Sequence, residues 1–155
     1  MAAEIPRSIH QGAIAGARKK LDWYYDVFGA DNFFLELQEH EIPELASINK
    51  ALLELGPRYK ANYVATNDVH YINPSDAELQ DILLAVQTGS LLTDPKRMRM
   101  SDSTYYLKSA EEMGRIFAEV PEALSNTLRI ADRCEVDLGF KGYHLPDFPV
   151  PEGHN

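Results

Sequence analysis

Ala61-Asn62-Tyr63-Val64-Ala65-Thr66-Asn67-Asp68-Val69-His70-Tyr71 is a short apolar run that turns polar within a single step. The run over 62–66 reads as a β-strand, and the polar residues lie at its C-terminal end, the edge at which α/β folds place their sites. In an extended chain residues two apart project to the same side. Asp68 and His70 would therefore offer a carboxylate and an imidazole to one point, a suitable pair for a divalent metal such as Zn²⁺ or Mn²⁺. Such an ion would activate water and neutralise charge on a phosphoryl oxygen. Asn67 is placed to hold a ligand from behind. A lone Asp-x-His also arises often by chance, and two ligands do not make a metal site, so spacing alone leaves both readings open.

The preceding segment, Asn32-Phe33-Phe34-Leu35-Glu36-Leu37-Gln38, alternates in the same way. Phe33, Leu35 and Leu37 fall on one side, and Phe34, Glu36 and Gln38 on the other. Glu36 could face the same cavity as Asp68, in a supporting role, while His40 reads as a loop histidine. Around these strands the spacing predicts helices. One runs over 13–28 and stops at Gly29. Another opens near Pro43, with Leu45, Ile48, Leu52 and Leu53 as its stripe. A third opens on a Ser75/Glu78 capping box and carries Leu79, Ile82, Leu83 and Val86 on one face. A fourth opens on Ser109/Glu112 and runs to about 118. The last starts at Pro121, with Leu124, Leu128 and Ile130 apolar. Tyr105-Tyr106-Leu107 is a candidate short strand, and the proline-rich stretch over 143–151 must be extended. Helix and strand in alternation are the order of an α/β fold with parallel strands, as a barrel or as an open sheet.

A net charge of −9 over 155 residues argues against a face that grips nucleic acid, because each neutralised phosphate needs a Lys or Arg. The one basic cluster, Lys96, Arg97 and Arg99, reads as a solvated loop, with a phosphate contact as the alternative. No stretch has the length of a membrane span and no signal peptide opens the chain, so a cytoplasmic address is expected. Cys134 is the single cysteine. It permits no internal disulfide and reads as a small, semi-buried residue near a helix end. His10, His144 and His154 have no partners at useful spacing. No Gly-rich phosphate loop, Walker pattern or G-x-S-x-G elbow is present.

The strings themselves carry more than the spacing. Residues 33–43 (FFLELQEHEIP) and 64–71 (VATNDVHY) resemble the PHP (polymerase and histidinol phosphatase) domain of bacterial DNA polymerase III alpha subunits. The resemblance continues through 81–89 (DILLAVQTG), 94–99 (DPKRMR), 106–109 (YLKS) and 120–124 (VPEAL). It ends in 143–146 (YHLP) and 148–151 (FPVP), and the opening Glu4-Ile5-Pro6-Arg7 is similar to the family's Gly-Glu-Ile-Pro segment.

The resemblance implies the C-terminal portion of a distorted (β/α)7 barrel over 1–134, with its helices, then a connector over 135–155 toward a polymerase palm. It maps the last metal motif onto Asp68 and His70. It implies Zn²⁺ or Mn²⁺ in a complete PHP site and Mg²⁺ for the polymerase. DNA and other replicase subunits are the implied partners, with no membrane among them. It further implies DNA replication by a DNA-directed DNA polymerase, a nucleotidyltransferase. The domain is linked to 3′–5′ exonuclease or phosphoesterase activity in some lineages and to structural support in others. The family's early His-x-His motif, its cysteine before the Glu-Ile-Pro segment and the palm aspartates have no counterpart here. The expectation is a polymerase fragment, inactive alone, whose open barrel edges promote self-association. The alternatives are a stand-alone metal phosphoesterase using Asp68 and His70, and a non-catalytic interaction module built on 75–88 and 109–134.

Overall fold

The computed structural model describes residues 3–139 together with Gly142 and Pro149. Its centre is a pair of parallel strands, β1 (Phe34–Gln38) and β2 (Asn62–Thr66), in the register Leu35 to Tyr63 and Leu37 to Ala65. Leu35, Leu37, Tyr63 and Ala65 are buried on one face, as the alternation in the sequence requires. Helix α1 (Glu4–His10), α2 (Ile14–Phe28), α3 (Pro43–Leu55) and α6 (Pro121–Ala131) complete this core through Ile5, Ile9, Ala17, Leu21, Ile48 and Ala123. Aromatic rings close its margin, Tyr24 stacking on Phe33 at 4.9 Å and Tyr25 on Tyr59 at 4.8 Å. Gly56 follows α3 where a Cβ would sit 1.8 Å from the Tyr63 hydroxyl, so only glycine lets the helix end approach β2.

Both edges of the strand pair are met by asparagine side chains. Asn49 of α3 donates through Nδ2 to the Gln38 carbonyl at 2.6 Å, and Asn126 of α6 donates to the Tyr63 carbonyl at 2.8 Å. At the N-terminal ends of the strands, Asn62 Nδ2 donates to the Ala30 carbonyl and Arg129 Nη1 donates to Asn62 Oδ1. That end is a structural latch, which leaves the opposite end for the candidate site.

Several expectations are corrected. Helix α1 was missing from the pattern; it is short, but its Pro6 falls in the first turn, where backbone N–H groups lack partners anyway. The capping box before α4 (Ala77–Gln87) is Asn73 with Asp76 around a 3₁₀ turn, Pro74–Asp76, rather than Ser75 with Glu78; Pro74 starts the turn two residues earlier. The Ser109/Glu112 box before α5 (Ala110–Ile116) forms as read. Tyr105-Tyr106-Leu107 makes only one parallel bridge, Tyr71 to Tyr106.

On α4 the apolar stripe faces out. Leu79, Leu83 and Val86 are 60, 60 and 74% exposed, and the helix buries Leu84 and Ala85 instead. On α6 the buried face is Ala123 and Asn126, and Leu128 is exposed, because Asn126 must point at the β2 edge. Cys134 is exposed rather than semi-buried, lying past the end of α6. Most of the connector over 135–155 lies outside the described residues; 135–139 are exposed and carry no regular structure. A barrel is not formed by the described residues, whose sheet has two strands.

Candidate functional site

Beyond Thr66 the chain leaves β2 and is caught by the segment 101–108. His70 N donates to the Tyr105 carbonyl at 2.8 Å, and Leu107 N donates back to the Tyr71 carbonyl at 3.0 Å. Asn67 is the cross-tie: its Nδ2 donates to the Tyr106 carbonyl at 2.7 Å and its Oδ1 accepts from Lys108 Nζ at 3.1 Å. Lys108 also lies over the Tyr106 ring at 4.9 Å, and burial lowers its pKa. Asn67 thus holds the backbone that presents the next residues rather than a ligand directly.

With the backbone fixed, Asp68 and His70 meet as their spacing requires. Asp68 Oδ1 stands 3.3 Å from His70 Nε2, and both side chains are accessible. The His70 ring meets Tyr105 edge-on at 5.5 Å. Among the described residues no three His, Cys, Asp or Glu side chains converge on one point. Glu36 does not join the pair. Its Oε1 accepts from Thr66 Oγ1 at 2.6 Å and Gln38 Nε2 at 3.5 Å, on the polar face of the strands.

His40 is the residue that sequence reasoning undervalued. It follows β1, is only 5% exposed, and stacks on the Tyr105 ring at 4.2 Å. Its Nδ1 lies 2.8 Å from Thr104 Oγ1, and that hydroxyl donates its one proton to Asp102 Oδ1 at 2.5 Å. Thr104 therefore accepts from His40, which fixes the proton on Nδ1 and leaves Nε2 as a bare, buried acceptor with no partner among the described residues. Burial lowers the His40 pKa, with the Lys108 ammonium adding to the effect. Asp102 anchors the group. Its Oδ1 also accepts from Thr104 N at 2.7 Å, and its Oδ2 accepts from Glu41 N at 3.1 Å and Ser101 Oγ at 3.0 Å. Burial pushes its carboxyl up, but the Thr104 and Ser101 hydrogen bonds hold it below the usual range. Nothing in the spacing between 40 and 104 announces this contact across 64 residues.

The basic cluster divides. Arg97 is not solvated: its side chain is 2% exposed, Nη1 donates to Asp81 Oδ1 at 2.5 Å, Nη2 donates to Oδ2, and Nε donates to the Leu92 carbonyl at 3.2 Å. The Arg97 hydrogen bond holds Asp81 below the usual carboxylate range. Lys96 and Arg99 stay exposed.

Parallel strands with polar side chains gathered at their carboxyl ends define an α/β segment of the site-bearing kind. Sequence comparison finds relatives among DNA polymerase III alpha subunits. The chain is 39% identical over 152 residues to the subunit of Borreliella burgdorferi, and 39% identical over 159 residues to that of Thermus aquaticus. It is 39% identical over 147 residues to that of Escherichia coli. These matches cover 97, 99 and 95% of this chain and about 13% of each relative. The resemblance read from the strings holds along the chain, which is homologous to one segment of a much longer subunit. No family model matches.

Proposed function

We propose that this chain is part of the PHP region of a replicative DNA polymerase III alpha subunit, the C-terminal portion of a (β/α)7 barrel, acting in the cytoplasm on DNA with other replicase subunits. The observation that carries the reading is the collinear identity to alpha subunits over nearly the whole chain. In this reading Asp68 and His70 are the last ligands of a PHP metal site, and the nucleotidyl transfer, with Mg²⁺, belongs to the whole polymerase. What supports the ligand role is the 3.3 Å separation of Asp68 Oδ1 and His70 Nε2. Two donors bound at about 2.0–2.1 Å to one tetrahedral ion stand roughly that far apart. A site would need ligands beyond this pair. When bound, the ion would supply Lewis-acid activation of water and neutralise a phosphoryl oxygen, the chemistry of a 3′–5′ exonuclease or phosphoesterase. The chain's own contribution is orientation: Asn67 and the Tyr105 carbonyl fix the backbone on either side of Asp68, and Tyr105 holds the His70 ring.

Two measurements test the reading. Residues 3–139 can replace the corresponding segment of the Escherichia coli alpha subunit, and primer extension by the chimaera is then measured. Retained extension supports the assignment; a folded chimaera without it overturns the assignment. Mn²⁺ binding to the same protein, read by electron paramagnetic resonance, is expected to weaken in Asp68→Ala and His70→Ala. Binding equal to the parent in both variants removes the pair from the site.

A further inference from the structure

Immediately past His70 the chain enters a second polar feature. Tyr71, Ala77, Asp81, Arg99, Met100 and Asp102 line a cleft of about 200 Å³. Its two carboxylates are already committed, Asp81 to the Arg97 fork and Asp102 to four donors from Glu41, Ser101 and Thr104. What is left over is donor capacity. Arg99 is exposed and makes no hydrogen bond among the described residues, and its charged neighbour Asp81 has both oxygens occupied. Tyr71 is only 9% exposed, and among the described residues no group accepts the proton of its buried hydroxyl. Burial raises the pKa of that phenol, and a loose hydrogen bond from the Tyr105 backbone to its oxygen partly offsets the rise, which leaves the O–H proton free to donate.

A guanidinium fork and a phenol beside a space of this size suit a tetrahedral oxyanion, because both present N–H or O–H groups to acceptor oxygens. We propose that this cleft binds a phosphate group, with Arg99 as its principal contact and Tyr71 as a second donor. The alternative role of the basic cluster is thereby divided between two residues: Arg97 holds the fold and Arg99 receives the ligand. The proposal does not depend on a metal at Asp68 and His70. The phosphate could come from a DNA strand or from a free nucleotide or phosphate ion, which share the same oxyanion chemistry.

The test is a calorimetric titration of the full chain in EDTA at low salt, with inorganic phosphate, thymidine 5′-monophosphate and a short oligothymidylate in turn. Binding is expected for the wild type, unchanged in Lys96→Ala, about tenfold weaker in Arg99→Ala, and weaker in Tyr71→Phe, which keeps the ring. Binding of the two small probes identifies a free phosphate site; binding of the oligonucleotide alone identifies a strand contact, and either supports the proposal. No binding of any probe, or affinity in Arg99→Ala equal to wild type, overturns it. EDTA separates this outcome from the Mn²⁺ measurement, so either reading can fail without the other.

Discussion

At Glu112 three donors converge on one carboxylate. Ser109 supplies its backbone N–H and its hydroxyl, each at 2.8 Å, and the Tyr106 hydroxyl donates at 2.8 Å. The Ser109 amide is the largest influence and, with the two hydroxyls, takes the pKa from the ordinary 4.5 to about 2. A carboxylate depressed on folding stabilises above its unfolded pKa, and that contribution is lost as pH falls toward the folded value. Melting temperatures measured between pH 5 and about 2 should therefore fall more steeply for the wild type than for Glu112→Gln; parallel curves would disprove the linkage. This box was legible because both partners lie within four residues. His40 and Arg97 were not, since each is defined by a partner far along the chain: Thr104 and Asp102 for one, Asp81 for the other. A histidine after a strand and an arginine in a basic loop look solvated until the fold brings a carboxylate to them.

Among the elements, the strands were the most readable. Their alternation placed Leu35 and Leu37 inward, and the structure keeps both buried. The helical stripes were less reliable, because periodicity names an apolar face without naming what covers it. On α6 the edge of β2 selects Asn126 and Ala123 over Leu128. Two substitutions separate these cases. Leu37→Ala, at a side chain 1% exposed, should cost about 2–5 kcal/mol in denaturant unfolding. Leu128→Ala should change stability by no more than about 0.5 kcal/mol. Similar losses at both sites would mean that α6 packs with its other face inward.

For the whole molecule, the core gathers α1, α2, α3, α6 and the strands, while α4 and the loop after it sit apart on Leu84, Ala85 and Arg97. The consequence is an uncovered apolar surface on α4. Self-association in light scattering is expected for the wild type, and replacing Leu79, Leu83 and Val86 together by serine should reduce it; unchanged association would place the contact elsewhere. The candidate site divides in the same way. The Asp68–His70 pair was visible as a local motif, whereas the loop 101–108 that supports it, and the cleft beside it, arise only from chain return. Asn49 and Asn126 add one more result. A two-stranded ribbon is normally a template for amyloid-like growth, since each new chain can dock on its open backbone. Here a side-chain amide plugs a carbonyl on each border, so a docking chain would first have to evict a helix. Clumping of this protein should therefore be amorphous and side-chain driven, with no fibre formation.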